Sequence, residues 1–208
     1  QPIRKIKPKT IFHLATHGGY PQEQYDEKEI LETNVLCAFN LIRSCLDVGF
    51  DAFINTGSSS EYGIKDAPMK EGDILEPVTA YGASKAWATL YLRYLALTKK
   101  APIVTLRPFS VYGPYEPLGR LVSNIILSLM RHQAPSLSSP TTARDFVFVD
   151  DLVEAYILAA ERPRAGAVFN IGSGKQTTIR EIFGLVENLM RSDVLRQARD
   201  GERSRTIR

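Results

Sequence analysis

Short apolar runs alternate with longer segments of helical spacing along the chain, and this alternation restricts the possible folds most strongly. Buried strands are predicted at 10–15, 52–56, 103–106, 144–149 and 168–171. Helices are predicted between and after them at 27–48, 81–99, 121–132, 151–161 and 178–190. Parallel strands covered on both faces read as nearly continuous apolar runs, and helices connect them. We therefore predict an α/β fold with a mainly parallel sheet.

Composition and charge exclude several classes of protein. The 208 residues are 44% hydrophobic and 24% charged, and the net charge of +3 is too small to indicate a nucleic-acid partner. No apolar run reaches the roughly 18 residues of a membrane span. Cys37 and Cys45 share one predicted helix, roughly 12 Å apart at 1.5 Å per residue, which is too far for a disulfide. We expect two reduced, buried thiols and a cytoplasmic protein that binds neither membrane nor nucleic acid.

Polar or small residues follow three successive predicted strands. They are Thr16-His17-Gly18, then Gly57-Ser58-Ser59-Ser60, and then Pro108-Phe109-Ser110. Ligands of parallel α/β sheets bind where the carboxyl ends of the strands meet. We therefore expect a ligand site along this edge of the sheet.

Tyr81 and Lys85 begin the helix that follows the second strand, and their spacing of four places them on one helix face. A lysine ammonium near a phenol favours the phenolate, which lowers a pKa that starts near ~10. A tyrosine that exchanges its proton near neutral pH is what oxidation of an alcohol or reduction of a ketone requires. A surface Tyr/Lys pair is the alternative, and the neighbouring strand-end cluster favours the proton relay.

Seven segments in order resemble the extended short-chain dehydrogenase/reductase family, the NAD(P)-dependent epimerases, dehydratases and reductases of nucleotide sugars. They are Phe12–Ala15, Asn34, Thr56–Gly63, Tyr81–Lys85, Leu106–Pro114, Ala143–Asp151 and Phe169–Gly174. The resemblance implies a partial Rossmann-like, doubly wound parallel sheet with a small C-terminal substrate lobe. Residues 1–115 would form the second part of a dinucleotide-binding domain. Residues 116–208 would supply the substrate lobe and the last sheet elements.

The glycine-rich turn that opens this family, Gly-x-x-Gly-x-x-Gly, does not occur at the start of this sequence. We therefore expect the chain to be part of a longer protein, and an isolated copy of it to bind the cofactor poorly. The resemblance implies NAD as the cofactor. NADP stays open, because the family's strand that reads the adenosine ribose is not in the sequence either.

The resemblance also assigns roles to individual residues. Tyr81 would be the acid/base for the sugar hydroxyl, Lys85 would hold the nicotinamide ribose, and Ser58 would hydrogen-bond the reacting oxygen. A serine turn that satisfies its own backbone is the alternative for the Ser58 loop. The implied cofactor contacts are Leu14, Ala15, Thr16, Thr56, Tyr81, Lys85, Pro108 and Phe109. The implied contacts to a nucleotide-diphosphate sugar are Ser59, Ser60, Ser110, Arg120 and Arg144.

Two of the matched residues each have a structural alternative. Arg144 would contact the substrate diphosphate, for which a planar guanidinium is suited, or would pair structurally with an aspartate. Asn34 would bind backbone near the site through a water, or would satisfy a buried kink in its helix.

The loop after the second strand also bears on the reaction type. Dehydratases of the family carry an Asp-Glu pair directly after the catalytic Thr, and Ser59 and Ser60 occupy those places here. Glu61 comes one residue later, and on an extended segment it would point to the opposite side. We therefore expect 4-epimerisation of an NDP-hexose through a transient keto intermediate. An NDP-4-keto-6-deoxysugar reductase is the first alternative, and a non-catalytic cofactor-sensing member of the family is the second.

Two further expectations concern metals and assembly. His13, His17 and His132 have no cysteine or carboxylate partner at ligand spacing, so no metal site is predicted. The helices near 27–48 and 81–99 match those that pair into a four-helix dimer interface in the family. We therefore expect a homodimer.

Overall fold

The computed structural model describes residues 2–20, 26–137 and 139–191. They belong to two compact units. The first contains the described residues within 1–111 and 147–172, and the second contains those within 112–146 and 173–208. The division into domains at residue 115 stays a prediction.

Strands and helices alternate along the described residues, as predicted. The elements are α1 (Pro2–Ile6), β1 (Thr10–His13), α2 (Glu27–Leu31), a π-helical segment (Glu32–Cys37), α3 (Ala38–Val48), β2 (Ala52–Thr56), a 3₁₀ turn (Ser59–Tyr62), α4 (Ala80–Lys99), β3 (Ile103–Pro108), β4 (Ser110–Tyr112), α5 (Leu121–Met130), β5 (Ala143–Phe148), α6 (Val149–Glu161), β6 (Val168–Ile171), β7 (Gln176–Thr178) and α7 (179–191). The predicted α/β class is confirmed. The three-residue strands β4 and β7 were not predicted, since each is too short to show a period of two.

The first unit is built on a four-stranded sheet with the order β1-β2-β3-β6, in which every neighbouring pair is parallel. The register pairs His13 with Asn55, and Thr56 with Leu106. The carboxyl ends of β1, β2 and β3 therefore lie side by side at one edge. This is the edge at which the strand-end residues were predicted to meet.

Neighbouring residues of β2 point to opposite faces of the sheet and enter two different apolar clusters. Phe53 packs with Ile42, Leu92 and Leu95 from α3 and α4. Ile54 packs with Leu152 and others on the side that α6 covers. Helices thus cover both faces of the sheet, the doubly wound arrangement. Full burial of one such side chain stabilises the fold by about 1.5–3 kcal/mol.

The two cysteines differ in exposure. Cys45 is buried among the apolar residues under α3, whereas Cys37 is exposed, and both are free thiols. The prediction that both thiols are buried was therefore wrong for Cys37. Eight positions of an α-helix correspond to a rotation of about 80° beyond two full turns, so the two side chains need not share a face.

A second, three-stranded sheet has the order β4-β5-β7, and β5 and β7 are antiparallel. Thr178 ends β7 and begins α7. Its backbone N and its Oγ1 both donate to Glu181 Oε2, at 2.7 and 2.8 Å, and Glu181 N donates to Thr178 Oγ1 at 3.2 Å. These three bonds form a capping box at the start of α7.

Candidate active site

The loop after β2 begins with a closed hydrogen-bonded turn. Ser58 is buried, and its Oγ accepts from Ser60 N at 3.1 Å. Ser58 N donates in return to Glu61 Oε1 at 2.8 Å, which completes a capping box for the 3₁₀ turn. Ser59 is half-buried and Ser60 is exposed. The Ser58 hydroxyl satisfies its own backbone as the alternative required, and as an acceptor there it keeps a proton that it can donate.

Glu61 does not occupy an extended segment. It lies in the 3₁₀ turn with a side chain that is 0% exposed, and Arg107 Nε donates to its Oε2 at 2.8 Å. The expectation of an extended backbone at Glu61 was therefore wrong, because the capping interaction with Ser58 curls the chain. Burial raises the pKa of the Glu61 carboxyl, whereas the Arg107 charge opposes the rise. The Glu61 carboxylate therefore forms a buried ion pair with Arg107.

Tyr81 and Lys85 lie one turn apart at the start of α4, and the Lys85 ammonium is 5.8 Å from the centroid of the Tyr81 ring. Lys85 is 3% exposed and donates to the Thr56 carbonyl oxygen at 3.1 Å. Burial lowers the pKa of Lys85 to about 8, and the negative Glu61 opposes this shift. The structure thus brings Tyr81, Lys85 and the end of β2 together.

The start of α4 packs closely against the Ser58 loop. A Cβ at Gly82 would lie 2.6 Å from the Ser60 carbonyl oxygen, so no larger residue fits between the two backbones. Thr79 caps the helix, and its side chain accepts from Gly82 N at 3.0 Å. The residues from Ser58 to Ser60 are therefore held beside the turn that carries Tyr81.

Asn34 lies in an irregular part of its helix, but its side chain bonds the loop after β1 and α4 rather than the backbone of that irregularity. It lies in the π-helical segment, and its Oδ1 accepts from His17 N at 2.8 Å. Its Nδ2 donates to His17 O at 2.8 Å and to Ser84 Oγ at 2.9 Å. Ser84 Oγ in turn donates to the Tyr81 carbonyl oxygen at 2.8 Å. Asn34 therefore connects the loop after β1 to the helix that carries Tyr81.

The other predicted cofactor contacts follow their strands directly. Leu14, Ala15 and Thr16 are exposed just past β1, which ends two residues earlier than predicted. Pro108 ends β3, and Phe109 N donates to the Ile171 carbonyl oxygen at 3.0 Å. These three residues after β1 are thus accessible along the edge at which β2 and β3 also end.

The two predicted arginine contacts belong to the second unit, and Ser110 begins β4. Arg120 caps α5, and its Nε lies 3.3 Å from Glu116 Oε1. Arg144 is exposed on β5. Its neighbour Asp145 accepts from Ser173 N at 2.7 Å and from Gly174 N at 2.8 Å.

Two buried groups of the site were not predicted. Arg107 is 3% exposed and connects Glu61 to Tyr62, since its Nη1 donates to the Tyr62 hydroxyl at 2.8 Å. The Tyr156 hydroxyl lies 2.6 Å from Thr56 Oγ1. These partners are 45 to 100 positions apart, so no local pattern could pair them. A charged residue at the end of an apolar strand was the one signal available for Arg107.

Two absences hold over the described ranges, 2–20, 26–137 and 139–191. Within them, no group of three or more His, Cys, Asp or Glu side chains is arranged to hold a metal ion. Their helices also include none with the length and apolar character needed to cross a membrane.

Three proteins that this chain resembles in sequence or structure are nucleotide-sugar enzymes. The chain is 30% identical to dTDP-4-dehydro-6-deoxyglucose reductase of Escherichia coli, over 86% of this chain and 58% of the relative. A UDP-N-acetylglucosamine 4-epimerase from Methanobrevibacter ruminantium, solved with UDP-N-acetylmuramic acid, has a TM-score of 0.86 at 26% identity, covering 93% of this chain and 64% of that one. A UDP-glucuronic acid 4-epimerase from Bacillus cereus, solved with UDP-glucuronic acid and NAD, has a TM-score of 0.82 at 26% identity, covering 91% and 61%.

The chain thus spans about three fifths of the length of each of these proteins. The family model for the NAD dependent epimerase/dehydratase family matches residues 1–172. That range includes the Ser58 loop, the Tyr81–Lys85 pair and the Arg107 strand end. On this match, the chain belongs to the NAD dependent epimerase/dehydratase family.

Proposed function

We propose that this chain carries the proton-transfer residues of an NAD(P)-dependent nucleotide-sugar epimerase, which acts at C4 of an NDP-hexose through a transient keto intermediate. The observation that carries the proposal is the arrangement of Tyr81, Lys85 and the Thr56 carbonyl beside the Ser58 loop. The absence of an Asp-Glu pair after Ser58 argues against dehydration, because positions 59 and 60 are both serine. The Glu61 carboxylate is bound to Arg107 and does not replace that pair.

The residues at the sheet edge fit the nicotinamide end of a dinucleotide. The exposed backbone of Leu14, Ala15 and Thr16 offers polar groups past β1, and Lys85 supplies an ammonium for ribose hydroxyls. Pro108 and Phe109 present apolar surface past β3. When bound there, the nicotinamide would accept and return the hydride. NAD is the proposed cofactor, supported by the NAD-bound epimerase neighbour, and NADP is the alternative.

Each of the three central side chains has a defined task in this proposal. Tyr81 removes the proton of the C4 hydroxyl and later returns one to the keto oxygen. The Lys85 ammonium, oriented by the Thr56 carbonyl, favours the phenolate of Tyr81 by its charge. Ser58 donates a hydrogen bond from its hydroxyl to the reacting oxygen and so holds that oxygen beside the phenol of Tyr81. Ser59, Ser60, Ser110, Arg120 and Arg144 are the proposed contacts to the nucleotide-diphosphate sugar.

The second candidate is an NDP-4-keto-6-deoxysugar reductase. The observation that favours it is the 30% identity to the reductase of Escherichia coli. In that reaction a reduced nicotinamide cofactor would supply the hydride to C4, and Tyr81, beside Lys85, would protonate the keto oxygen in one direction only. A non-catalytic cofactor sensor is the weakest candidate, because the site retains both Tyr81 and Lys85.

Product analysis on the full-length protein with a panel of nucleotide sugars separates these candidates. The epimerase proposal requires interconversion of C4 epimers with a catalytic amount of NAD and no net change in nicotinamide absorbance at 340 nm. Stoichiometric loss of reduced cofactor with a 4-keto sugar would establish the reductase instead. Binding of the cofactor without turnover of any sugar would favour the sensor.

We also propose that the protein is a homodimer. Large apolar side chains are exposed on the helices of 27–48 and on α4, namely Leu31, Leu36, Phe39, Leu90, Tyr94 and Leu97. Burial of this surface against a second copy would remove it from water. Light scattering on the full-length protein tests the dimer, with Leu90→Glu expected to give a monomer.

A cytoplasmic location is proposed on the free thiols Cys37 and Cys45, and cell fractionation tests it.

A further inference from the structure

Glu61 has three hydrogen-bond donors around its carboxylate, and they come from three different elements. Oε1 accepts from Ser58 N at 2.8 Å and from Thr89 Oγ1 at 2.9 Å. Oε2 accepts from Arg107 Nε at 2.8 Å. Ser58 belongs to the loop after β2, Thr89 to α4 and Arg107 to β3. One buried carboxylate therefore connects the serine loop, the helix of Tyr81 and Lys85, and the central sheet.

Thr89 lies four positions after Lys85, so these two side chains are neighbours one turn apart on α4. The bond from Thr89 to Glu61 thus fixes the loop to the side of the helix that carries Lys85. A Cβ at Gly57 would lie 2.5 Å from Glu61 Oε1, so the backbone before Ser58 also packs directly on the carboxylate. The Ser58 amide and the Gly57 backbone before it therefore both contact the Glu61 carboxylate.

A contribution to the stability of the fold does not by itself explain why Glu61 and Arg107 form a buried ion pair. Removal of two charges from water costs about as much as their attraction returns, and apolar residues of similar volume often replace a buried pair without loss. What an apolar pair could not reproduce is the acceptor for Ser58 N. The geometry points to a role in orienting the loop.

We propose that Glu61 is a positioning residue: its carboxylate, held by Arg107, fixes Ser58 relative to Tyr81 for the reaction. The inference rests on the proposed function, since it assumes that Ser58 contacts the reacting oxygen. Glu61 itself touches neither substrate nor cofactor in this account. It acts through the Ser58 amide.

Two double variants of the full-length protein separate positioning from simple stability. Glu61→Gln/Arg107→Met and Glu61→Met/Arg107→Met both remove the two buried charges and have similar side-chain volumes. Only the first keeps an oxygen at position 61 that accepts from Ser58 N. Thermal unfolding first establishes that both fold, and then kcat, KM and amide hydrogen exchange at Ser58 are compared.

The Gln/Met variant is expected to keep a kcat at least about tenfold above that of the Met/Met variant, with KM values within about threefold, since small misplacements of reacting groups cost rate. Amide exchange at Ser58 is expected to be about tenfold faster in the Met/Met variant, because the bond that protects this amide is missing. Equal kcat and equal exchange in the two variants would overturn the inference.

Two outcomes need a second measurement. If either double variant fails to fold, Arg107→Lys keeps the charge but not the Nε contact, and it must accelerate exchange at Ser58 relative to the exposed control Arg4→Lys. If the wild-type protein converts no nucleotide sugar, the proposed function fails. The exchange comparison at Ser58 then still decides whether Glu61 orders the loop, and equal exchange contradicts it.

Discussion

The Lys85 ammonium donates to the Thr56 carbonyl oxygen at 3.1 Å while lying 5.8 Å from the centroid of the Tyr81 ring. One backbone oxygen at the end of β2 thereby orients the cation whose charge acts on the phenol. The arrangement buries a lysine almost completely, and burial lowers its pKa to about 8. A site of this kind is expected to cost stability in exchange for its chemistry.

The pKa of Lys85 predicts a rise in stability at alkaline pH. The pKa is about 8 in the folded state against an ordinary value of 10.5, so the unfolded state binds more protons between these values. The free energy of unfolding should therefore increase over that window, relative to Lys85→Met, by up to about 3 kcal/mol. Urea unfolding from pH 7.5 to 10.5 measures the difference. The exposed control Lys99→Met should follow the wild type, and a constant difference for Lys85→Met would contradict the assignment.

The lowered pKa of His13 predicts that the free energy of unfolding falls in mild acid. Its Nδ1 lies 3.1 Å from Asn55 Oδ1, and burial, together with the positive charge of Lys85, lowers its pKa from 6.5 although the Asn55 bond opposes this. Below pH 6.5 the unfolded chain binds a proton that the folded chain does not, so stability falls as pH falls, by at most about 1.4 kcal/mol per pH unit. Unfolding of the wild type and His13→Gln from pH 7 to 5.5 gives this slope as their difference. The exposed control His132→Gln should retain the wild-type slope, and an equal slope in His13→Gln would exclude His13 as the cause.

At Gly82 we expect replacement by alanine to destabilise the protein, the opposite of the usual preference of helices for alanine over glycine. Alanine normally stabilises an exposed helix position relative to glycine by up to about 1 kcal/mol, and Gly184→Ala in α7 should do so, since its Cβ would meet nothing within 4 Å. Gly82→Ala should instead destabilise by about 1–3 kcal/mol, because its Cβ would press on the Ser60 carbonyl oxygen. Thermal unfolding of the two variants is the measurement. A Gly82→Ala protein as stable as the wild type would show that α4 and the loop do not pack as described.

Local patterns predicted the sheet and its main helices. The apolar run at 52–56 is β2 with the predicted bounds, and α4 begins one residue before the predicted start at Tyr81. Such segments have a strong period or a continuous apolar run, and their ends carry caps. The strand-end clusters were also predicted to share an edge, since parallel strands require it.

Features that depend on contacts between distant residues were not predicted. Glu61 meets Arg107 across 46 positions, and no periodicity indicates such a pair. The Ser58–Glu61 spacing is itself a capping-box pattern, the same one that Thr178 and Glu181 form, so the 3₁₀ turn had a local signal. The π-helical segment at Glu32–Cys37 had none, because apolar spacing alone does not distinguish it from an α-helix.

Tyr81→Phe in the full-length protein tests the central claim most directly. The variant keeps the ring beside Lys85 and removes only the hydroxyl that would transfer the proton. With UDP-hexoses and NAD, the account predicts that the wild type interconverts C4 epimers, and that the variant still binds cofactor but loses about 10²–10⁴ in kcat. Turnover by Tyr81→Phe at the wild-type rate would contradict the assignment of Tyr81 as the acid/base.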